Sequence, residues 1–285
     1  MIARTVLTMA GLTLREASRR RVLRSLVVLT LALIALSGWG FARLAGMETR
    51  FGTLTSGESR LVASQLLNLV MFGVSLVAAL GTAFLAGPTL AGEVESGIAL
   101  AVLARPVRRS AVLAGKWLGL VAFGSGFVAL AGLAEFLVVR ATVGYWPPAP
   151  VLALALLAAQ TVVLLTLALL LSSVISPMAS GIVAVGLFGA TWVAGVVGGI
   201  GAALNNDGVA QVGTVSRALL PTDGLWRGAM HAIQDPGALL QFGRDAAAFP
   251  FLSPASLTAA YLAWTAVWVA VIGGLAAVSF RRRDI

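Results

Sequence analysis

Charged side chains of opposite sign flank a short apolar stretch between Glu93 and Arg109. The carboxylates of Glu93 and Glu95 come first, and the guanidinium groups of Arg105, Arg108 and Arg109 follow after the apolar residues. Carboxylates and guanidinium groups form strong charge-assisted hydrogen bonds with complementary groups on another protein. The spacing is therefore compatible with recognition of a partner, with one set of charges on each side of a short element.

The element between these charges is predicted to be a short helix. Ser96 can cap a helix that begins near Gly97, and Pro106 forces Arg105 out of helical geometry. We call residues 87–111 the charged loop. A short helix held between two apolar segments would be a docking element, because force applied there would move both segments. The alternative is a solvated loop whose charges only satisfy membrane topology.

Other reactive chemistries are poorly represented. The chain has no cysteine, which excludes disulfides, thiolate catalysis and cysteine-ligated metal sites. His231 is the only histidine, so no histidine cluster can form. The sequence contains no Gly-x-Ser-x-Gly or His-Glu-x-x-His motif and no cluster of aspartates. An intramembrane hydrolase or lipid transferase would need such a constellation, so an enzyme is kept only as an alternative.

One acidic residue lies inside an apolar stretch. Glu135 is the sole candidate for the ionisable groups that an ion-coupled carrier places near the middle of the membrane. It lies towards the end of its stretch with Arg140 close by, so we predict an ion pair at the membrane interface. The scarcity of such groups argues against proton or sodium coupling, and an ion-coupled secondary carrier is the other alternative.

These residues belong to a chain too apolar for a soluble protein of 285 residues. Hydrophobic residues make up 59% of it and charged residues 11%, with a mean hydropathy of +0.97. An average soluble domain has about 25% charged residues. Since about 20 apolar helical residues cross a membrane, we predict an all-α, polytopic membrane protein with a single domain over residues 1–285 and six transmembrane helices. The predicted spans are Leu26–Phe41 (extending through Leu44), Ala63–Ala86, Val112–Val139, Val151–Val174, Met178–Leu204 and Leu257–Phe280.

The distribution of charge predicts the orientation of these spans. The net charge is +9, which by itself is compatible with a nucleic-acid or a membrane partner, but the long apolar runs exclude a soluble nucleic-acid binder. The segments on the side of the termini carry 13 basic and four acidic residues, and the other side carries seven of each. Both termini are therefore expected in the cytoplasm. The alternative, a cleaved signal peptide, would leave five crossings.

Two further segments are predicted to lie outside the spans. Residues 1–24 form an amphipathic pattern, with arginines opposite an apolar stripe, as in a helix lying in the headgroup layer. The alternative is a basic anchor that only orients the chain. Residues 205–256 are interrupted by four prolines and contain the helix-capable pieces Asp223–Ile233 and Gly237–Ala248. We expect two short helices packed on the extracytoplasmic end, as a gate, a partner site or a passive cap.

The charged loop and the residues after it resemble the membrane-subunit signature of type-2 ABC exporters. The chain is also similar to that family in its length, its six predicted spans, its basic N-terminal helix and its basic tail Phe280–Ile285, so the resemblance covers essentially the whole chain. The runs that carry it are Gly92-Glu93-Val94-Glu95-Ser96-Gly97, Leu103-Ala104-Arg105-Pro106-Val107-Arg108-Arg109 and Leu113-Ala114-Gly115-Lys116-Trp117-Leu118-Gly119.

The resemblance implies roles for particular residues. A coupling helix and its flanks would dock in a cleft of a separate ATP-binding subunit; they would contain Glu93, Glu95, Gly97, Arg105, Pro106 and Arg109. The N-terminal helix would be an elbow helix at the membrane surface, with the basic residues Arg15, Arg19, Arg20 and Arg21.

The resemblance also implies the activity and the partners. The chain would be the permease subunit of an ABC transporter, an exporter in the cell membrane that works with a second permease copy. The apolar lining of a pathway between the two copies would favour a hydrophobic or amphipathic substrate, such as a lipid, drug or peptide. Gly115 and Lys116 do not form a phosphate-binding loop, because the upstream glycine and the following hydroxyl are missing. ATP and Mg would therefore bind to the partner, and this chain would have no cofactor and no enzymatic activity. Membrane lipids are further expected partners, and nucleic acid is not.

Overall fold

Helices account for nearly all of the described chain. The computed structural model describes residues 2–19, 21–46, 48–49, 52–53, 56–89, 109–237, 240 and 249–282. A two-residue antiparallel hairpin, β1 (Glu48–Thr49) with β2 (Gly52–Thr53), lies among them. The helices are α1 (Ile2–Arg19), α2 (Arg21–Ala45), α3 (Ser56–Gly87), α4 (Arg109–Val143), α5 (Pro150–Ser172), α6 (Pro177–Ala203), α7 (Asp207–Leu219), α8 (Thr222–Ile233) and α9 (Ala259–Arg282).

Six of the described helices are long and apolar enough to cross a membrane. These are α2, α3, α4, α5, α6 and α9, and each contains one of the six predicted spans or most of it. In a bilayer the backbone polar groups must be paired within the protein, and a continuous helix pairs nearly all of them internally. The predicted all-α fold with six membrane-spanning helices is confirmed. Some of the helices extend beyond the predicted apolar stretches: α3 begins at Ser56 and α4 continues to Val143.

Proline and glycine mark the ends of several spans. Pro150 begins α5 and Pro177 begins α6, where the missing N–H of proline costs no helical hydrogen bond. Gly144 follows α4 with a φ of 68°, and its N–H donates to the carbonyl of Arg140. A left-handed residue of this kind ends a helix, and glycine adopts it without steric cost.

The spans pack around α3 and α5. In each of these two helices 61% of the most apolar window is buried, against 22% in α2 and 17% in α9. Helices α2 and α9 thus lie at the periphery with much of their surface exposed. We call the end of the bundle that carries α1 and the last turn of α9 the terminal end, and the other end the opposite end. One core cluster, with Phe136 and Trp226, fills the opposite half, and another, with Leu120 and Phe280, fills the terminal half.

Helices α7 and α8 form a hairpin inserted among the spans. Thr222, at the start of α8, accepts a hydrogen bond at its carbonyl from Gln160 Nε2 at 3.1 Å. Gln160 is ten residues into α5, about 15 Å along that helix. The tip of the hairpin therefore reaches the middle of the bundle, and the expectation of two short helices stacked on its end is wrong. Helix α8 matches the predicted piece Asp223–Ile233, whereas α7 was not predicted. Most of the predicted piece Gly237–Ala248 lies outside the described residues.

Glycines allow α7 to lie against α6. A Cβ on Gly198 would lie 2.6 Å from Gly213 Cα, and one on Gly201 would lie 2.5 Å from Ala210 N. Small residues permit such close helix packing in membranes.

The last carbonyls of α7 accept hydrogen bonds from side chains of α9, which satisfies groups that a helix end leaves unpaired. Tyr261 donates to the carbonyl of Arg217 (3.0 Å), Trp264 to that of Ala218 (3.1 Å) and Trp268 to that of Leu219 (2.8 Å).

Candidate functional site

The charged loop is described only at its two ends. Glu93, Glu95, Gly97, Arg105 and Pro106 lie outside the described residues, so the predicted coupling helix is not tested by the structure. The described ends are residues 87–89, which are the last residue of α3 and the two that follow it, and residues 109–111, which begin α4. The contacts of these ends show which parts of the bundle would follow a movement of the loop.

Lys116 links the two helices that flank the charged loop. Its side chain is 3% exposed, and Nζ donates to the carbonyl of Thr89 at 2.6 Å. Thr89 in turn donates its hydroxyl to the carbonyl of Leu85. The ammonium group of Lys116 therefore has a hydrogen-bond partner inside the protein. A charge-assisted hydrogen bond of this kind contributes about 1.5–3 kcal/mol, so α3 and α4 are joined directly below the loop.

The end of α3 also contacts the beginning of α6. A Cβ on Gly87 would overlap the carbonyl oxygen of Pro177 and would lie 2.8 Å from Ser180 Oγ. Only a residue without a side chain allows this approach. A displacement of the end of α3 would therefore act on α6, the span that packs against α7 of the hairpin.

Arg109 connects the other end of the charged loop to the last turn of α9. It is the first residue of α4, and its Nη1 donates to the carbonyl of Arg281 at 3.4 Å. Carbonyls at the C-terminal end of a helix have no partner within the helix and attract cations. Of the six predicted coupling residues, Arg109 is the one that the structure describes, and it joins α4 to α9.

Helix α1 lies against α4 through two glycines. A Cβ on Gly115 would lie 2.5 Å from Met9 Cβ and 2.8 Å from the carbonyl oxygen of Val6. A Cβ on Gly119 would lie 2.6 Å from the carbonyl oxygen of Ala10. The spacing of these glycines is that of the small-xxx-small pattern by which membrane helices approach closely. Helix α1 would therefore move with the first turns of α4.

The remaining surface of α1 has an apolar and a basic side. Leu7 is 65% exposed and Leu14 40% exposed, and they lie on one side of the helix. Arg15 and Arg19 are exposed on an adjacent side. This arrangement suits a helix at a membrane surface, with leucines towards lipid and arginines towards headgroups, although the elbow role stays a prediction. Of the other predicted residues, Arg20 lies outside the described residues and Arg21 is the first residue of α2.

Glu135 is buried and does not pair with Arg140. Its Oε2 accepts a hydrogen bond from Ser37 Oγ at 2.7 Å, which joins α4 to α2. Arg140 is exposed, and its guanidinium carbon lies 5.3 Å from the centroid of the Trp146 ring. Five residues along a helix correspond to a rotation of about 140°, so the two side chains point in different directions. The predicted interfacial ion pair is therefore wrong.

A buried charge cluster on the hairpin was not singled out in the sequence. Arg227 Nε lies 3.0 Å and Arg217 Nε 3.6 Å from Asp223 Oδ2, and the Asp223 side chain is 1% exposed. Burial raises the pKa of the Asp223 carboxyl, and the two guanidinium groups oppose this change. Asp223 and Arg227 stand four residues apart, a spacing that brings two side chains together on a helix. That spacing was the only signal in the sequence, because the contact with Arg217 depends on the fold.

Comparison with known proteins identifies one family. Residues 11–285 match the family described as ABC-2 family transporter protein. A comparison with curated proteins gives no match. Within the part of the chain that the structure describes, no group of three or more histidine, cysteine, aspartate or glutamate residues is placed to hold a metal ion. The match to the family model spans nearly the whole chain and agrees with the resemblance carried by the charged loop. The chain therefore belongs to the ABC-2 family of transporter proteins and is a multi-pass membrane permease of an ABC transporter.

Proposed function

We propose that this chain is the transmembrane subunit of an ABC exporter whose ATP and Mg are bound by a separate subunit. The observation that carries the proposal is the link between Lys116 and Thr89, which joins the helices on both sides of the charged loop. A docking element needs such a connection, because a loop attached to loosely held helices would move without moving the bundle. The family match supports a transport subunit.

The charged loop would be the element that receives the movement. The docking surface would contain Glu93, Glu95, Gly97, Arg105, Pro106 and Arg109. When ATP binding closes the partner subunits, the loop would carry the motion into α3 and α4. The contacts at its ends would pass it on, to α1 through Gly115 and Gly119, to α6 through Gly87 and to α9 through Arg109.

The permease would work as a dimer in the cell membrane with both termini in the cytoplasm. The excess of basic residues on the terminal side supports this orientation. The transport pathway would lie between two permease copies, identical or related. An apolar cavity of about 710 Å³ lies between α5, α6, α7 and α9, with Leu187, Val212 and Trp268 among its lining. A lining of this kind supports a hydrophobic or amphipathic substrate.

Removal of the charges of the loop tests this function. We expect the double variant Glu93→Ala, Arg105→Ala to lose at least half of the ATP-binding subunit that co-purifies with the wild-type chain. Hydrolysis of ATP by the complex should fall to the level of the free subunit, because docked charge pairs supply much of the specificity of an interface.

The matched control is the double variant Glu58→Ala, Arg60→Ala at the opposite end of α3. Like the loop variant, it removes one negative and one positive charge. The amount of co-purified ATP-binding subunit and the ATP hydrolysis of the complex should both be unchanged. If the loop variant keeps its partner and its stimulated hydrolysis, the assignment of the charged loop as the docking element is wrong.

A further inference from the structure

A cavity of about 380 Å³ lies at the opposite end of the bundle. The α7–α8 hairpin, the last turns of α6 and the segment before α9 enclose it. Ser256 and Thr258, which immediately precede α9, are exposed, so the cavity opens at the level where the spans end. Membrane lipids place their headgroups at this level, just outside the hydrocarbon core. The cavity is large enough for a small polar ligand, since ligand pockets commonly begin near 300 Å³.

Arg227 in the wall of this cavity is compensated by a carboxylate. Its Nε donates to Asp223 Oδ2 at 3.0 Å, and its Nη2 donates to the carbonyl of Gly195 at 2.6 Å. Its side chain is 12% exposed and that of Asp223 is 1% exposed. A buried pair with this geometry holds both charges in place. Arg227 is therefore the closest charged partner of the Asp223 carboxylate.

Arg217, also in the wall, brings a second positive charge to the same carboxylate. Its Nε donates to the carbonyl of Gly213 at 3.0 Å and lies 3.6 Å from Asp223 Oδ2, with its side chain 31% exposed. Burial and the charge of Arg227 lower the pKa of Arg217, and Asp223 opposes them. Among the residues that the structure describes, one carboxylate faces two guanidinium groups in this cluster, which leaves the cluster with one positive charge. An anion in the cavity would compensate that charge.

The chemistry of the lining indicates which anion would fit. A guanidinium group presents several donors in one plane, which suits the oxygens of a phosphate. Thr214, Ser256 and Thr258 add hydroxyl groups to the lining. We propose that this cavity binds a phosphate group, carried by an anionic phospholipid or by a soluble phosphate ester, and that Arg217 is the residue that recognises it. This site is separate from the charged loop and does not depend on the docking of an ATP-binding subunit.

The variant Arg217→Gln tests the proposal, because it removes the surplus charge and leaves the pair of Asp223 and Arg227. The full chain would be purified in dodecyl maltoside with phosphatidylglycerol, with phosphatidylcholine or with sn-glycerol phosphate. Thermal unfolding and native mass spectrometry would report binding. For the wild-type chain we expect phosphatidylglycerol to raise the unfolding temperature above that with phosphatidylcholine. In Arg217→Gln the affinity should fall about tenfold, the effect of losing one charged hydrogen bond.

Two further variants serve as controls. They test whether binding depends on this site or only on the total positive charge, and whether a loss of binding reflects misfolding. Arg140→Gln removes an exposed arginine near the same end of the bundle and should bind like the wild type. Arg217→Lys keeps the charge and should lose less affinity than Arg217→Gln.

The two probes distinguish the sources of the phosphate. An effect of phosphatidylglycerol without one of glycerol phosphate assigns a lipid, and a comparable effect of glycerol phosphate assigns a soluble ester. The proposal is overturned if neither probe acts in a way that depends on Arg217, or if Arg140→Gln loses as much affinity as Arg217→Gln.

Discussion

The ammonium group of Lys116 lies inside the protein although it carries a charge. Burial of a cation costs free energy unless hydrogen bonds replace its water, and here the carbonyl of Thr89 supplies one. A carbonyl beyond the end of a helix has no partner in that helix, so both groups gain from the contact. At the scale of single residues, this hydrogen bond is the contact on which the proposed coupling of α3 to α4 rests.

The substitution Lys116→Met tests this contact. Methionine fills a similar volume without donating a hydrogen bond, so the contact between Lys116 and Thr89 is lost while the predicted docking residues of the charged loop are unchanged. We expect the variant to bind the ATP-binding subunit as the wild type does and its stimulated ATP hydrolysis to fall severalfold, measured on the purified complex. Arg24→Met, which removes an exposed charge at the terminal end, is the control and should hydrolyse ATP normally. Full stimulated hydrolysis in Lys116→Met would contradict the role of the link.

Helix α1 and the first turns of α4 behave as one element, because two glycines bring their backbones together. The substitution Gly119→Ala would place a Cβ 2.6 Å from the carbonyl oxygen of Ala10, so α1 would have to move. We expect a loss of about 1–3 kcal/mol in the free energy of unfolding, the usual cost of overpacking. Denaturation of the detergent-solubilised chain would measure it.

Gly126→Ala is the matched control on the same helix. A Cβ at Gly126 meets no atom within 4 Å, and alanine favours a helix over glycine by about 0.5–1 kcal/mol. The control should be as stable as the wild type or slightly more stable. Equal stability of Gly119→Ala and Gly126→Ala would show that α1 does not depend on this contact.

The elements differ in how well the sequence predicts them. The six spans are long apolar runs, so hydropathy alone locates them, and Pro150 and Pro177 mark two of their starts. Helix α7 was missed because Asp207–Leu219 is too short and too polar for a span and its place depends on a contact between Gly198 and Gly213. At the candidate site, the pattern of charges predicts a docking loop over residues 87–111, and most of that loop lies outside the described residues. The partner of Lys116 could not be predicted, because Thr89 lies 27 positions earlier and meets it only in the packed bundle.

At the scale of the whole molecule, the exposed surface of α2 and α9 contrasts with the burial of α3 and α5. In a membrane, lipid chains would cover the outer faces of the peripheral helices, except where the second copy of the proposed dimer covers them. The central helices α3 and α5 contact most of the other spans, so a movement that begins at the end of α3 reaches much of the bundle. The direction of that movement relative to the cell depends on the orientation of the chain.

The absence of cysteine makes the orientation directly measurable. Gly11 in α1 and Gly57 in α3 are exposed at different ends of the bundle, and a Cβ at either meets no atom within 4 Å. With cytoplasmic termini, a membrane-impermeant maleimide added to intact cells should label Gly57→Cys and leave Gly11→Cys unlabelled. Both variants should react after permeabilisation, which serves as the control. Labelling of Gly11→Cys in intact cells would place the termini outside.

The buried position of Lys116 has a consequence for protein chemistry. It is the only lysine in the sequence, and its amine lies 2.6 Å from the carbonyl of Thr89. An amine-reactive reagent therefore finds a single lysine side chain in the permease, and that one is shielded while α3 and α4 are joined. Acetylation at this one mapped position should rise whenever the two helices separate, so it would report the movement proposed for the charged loop.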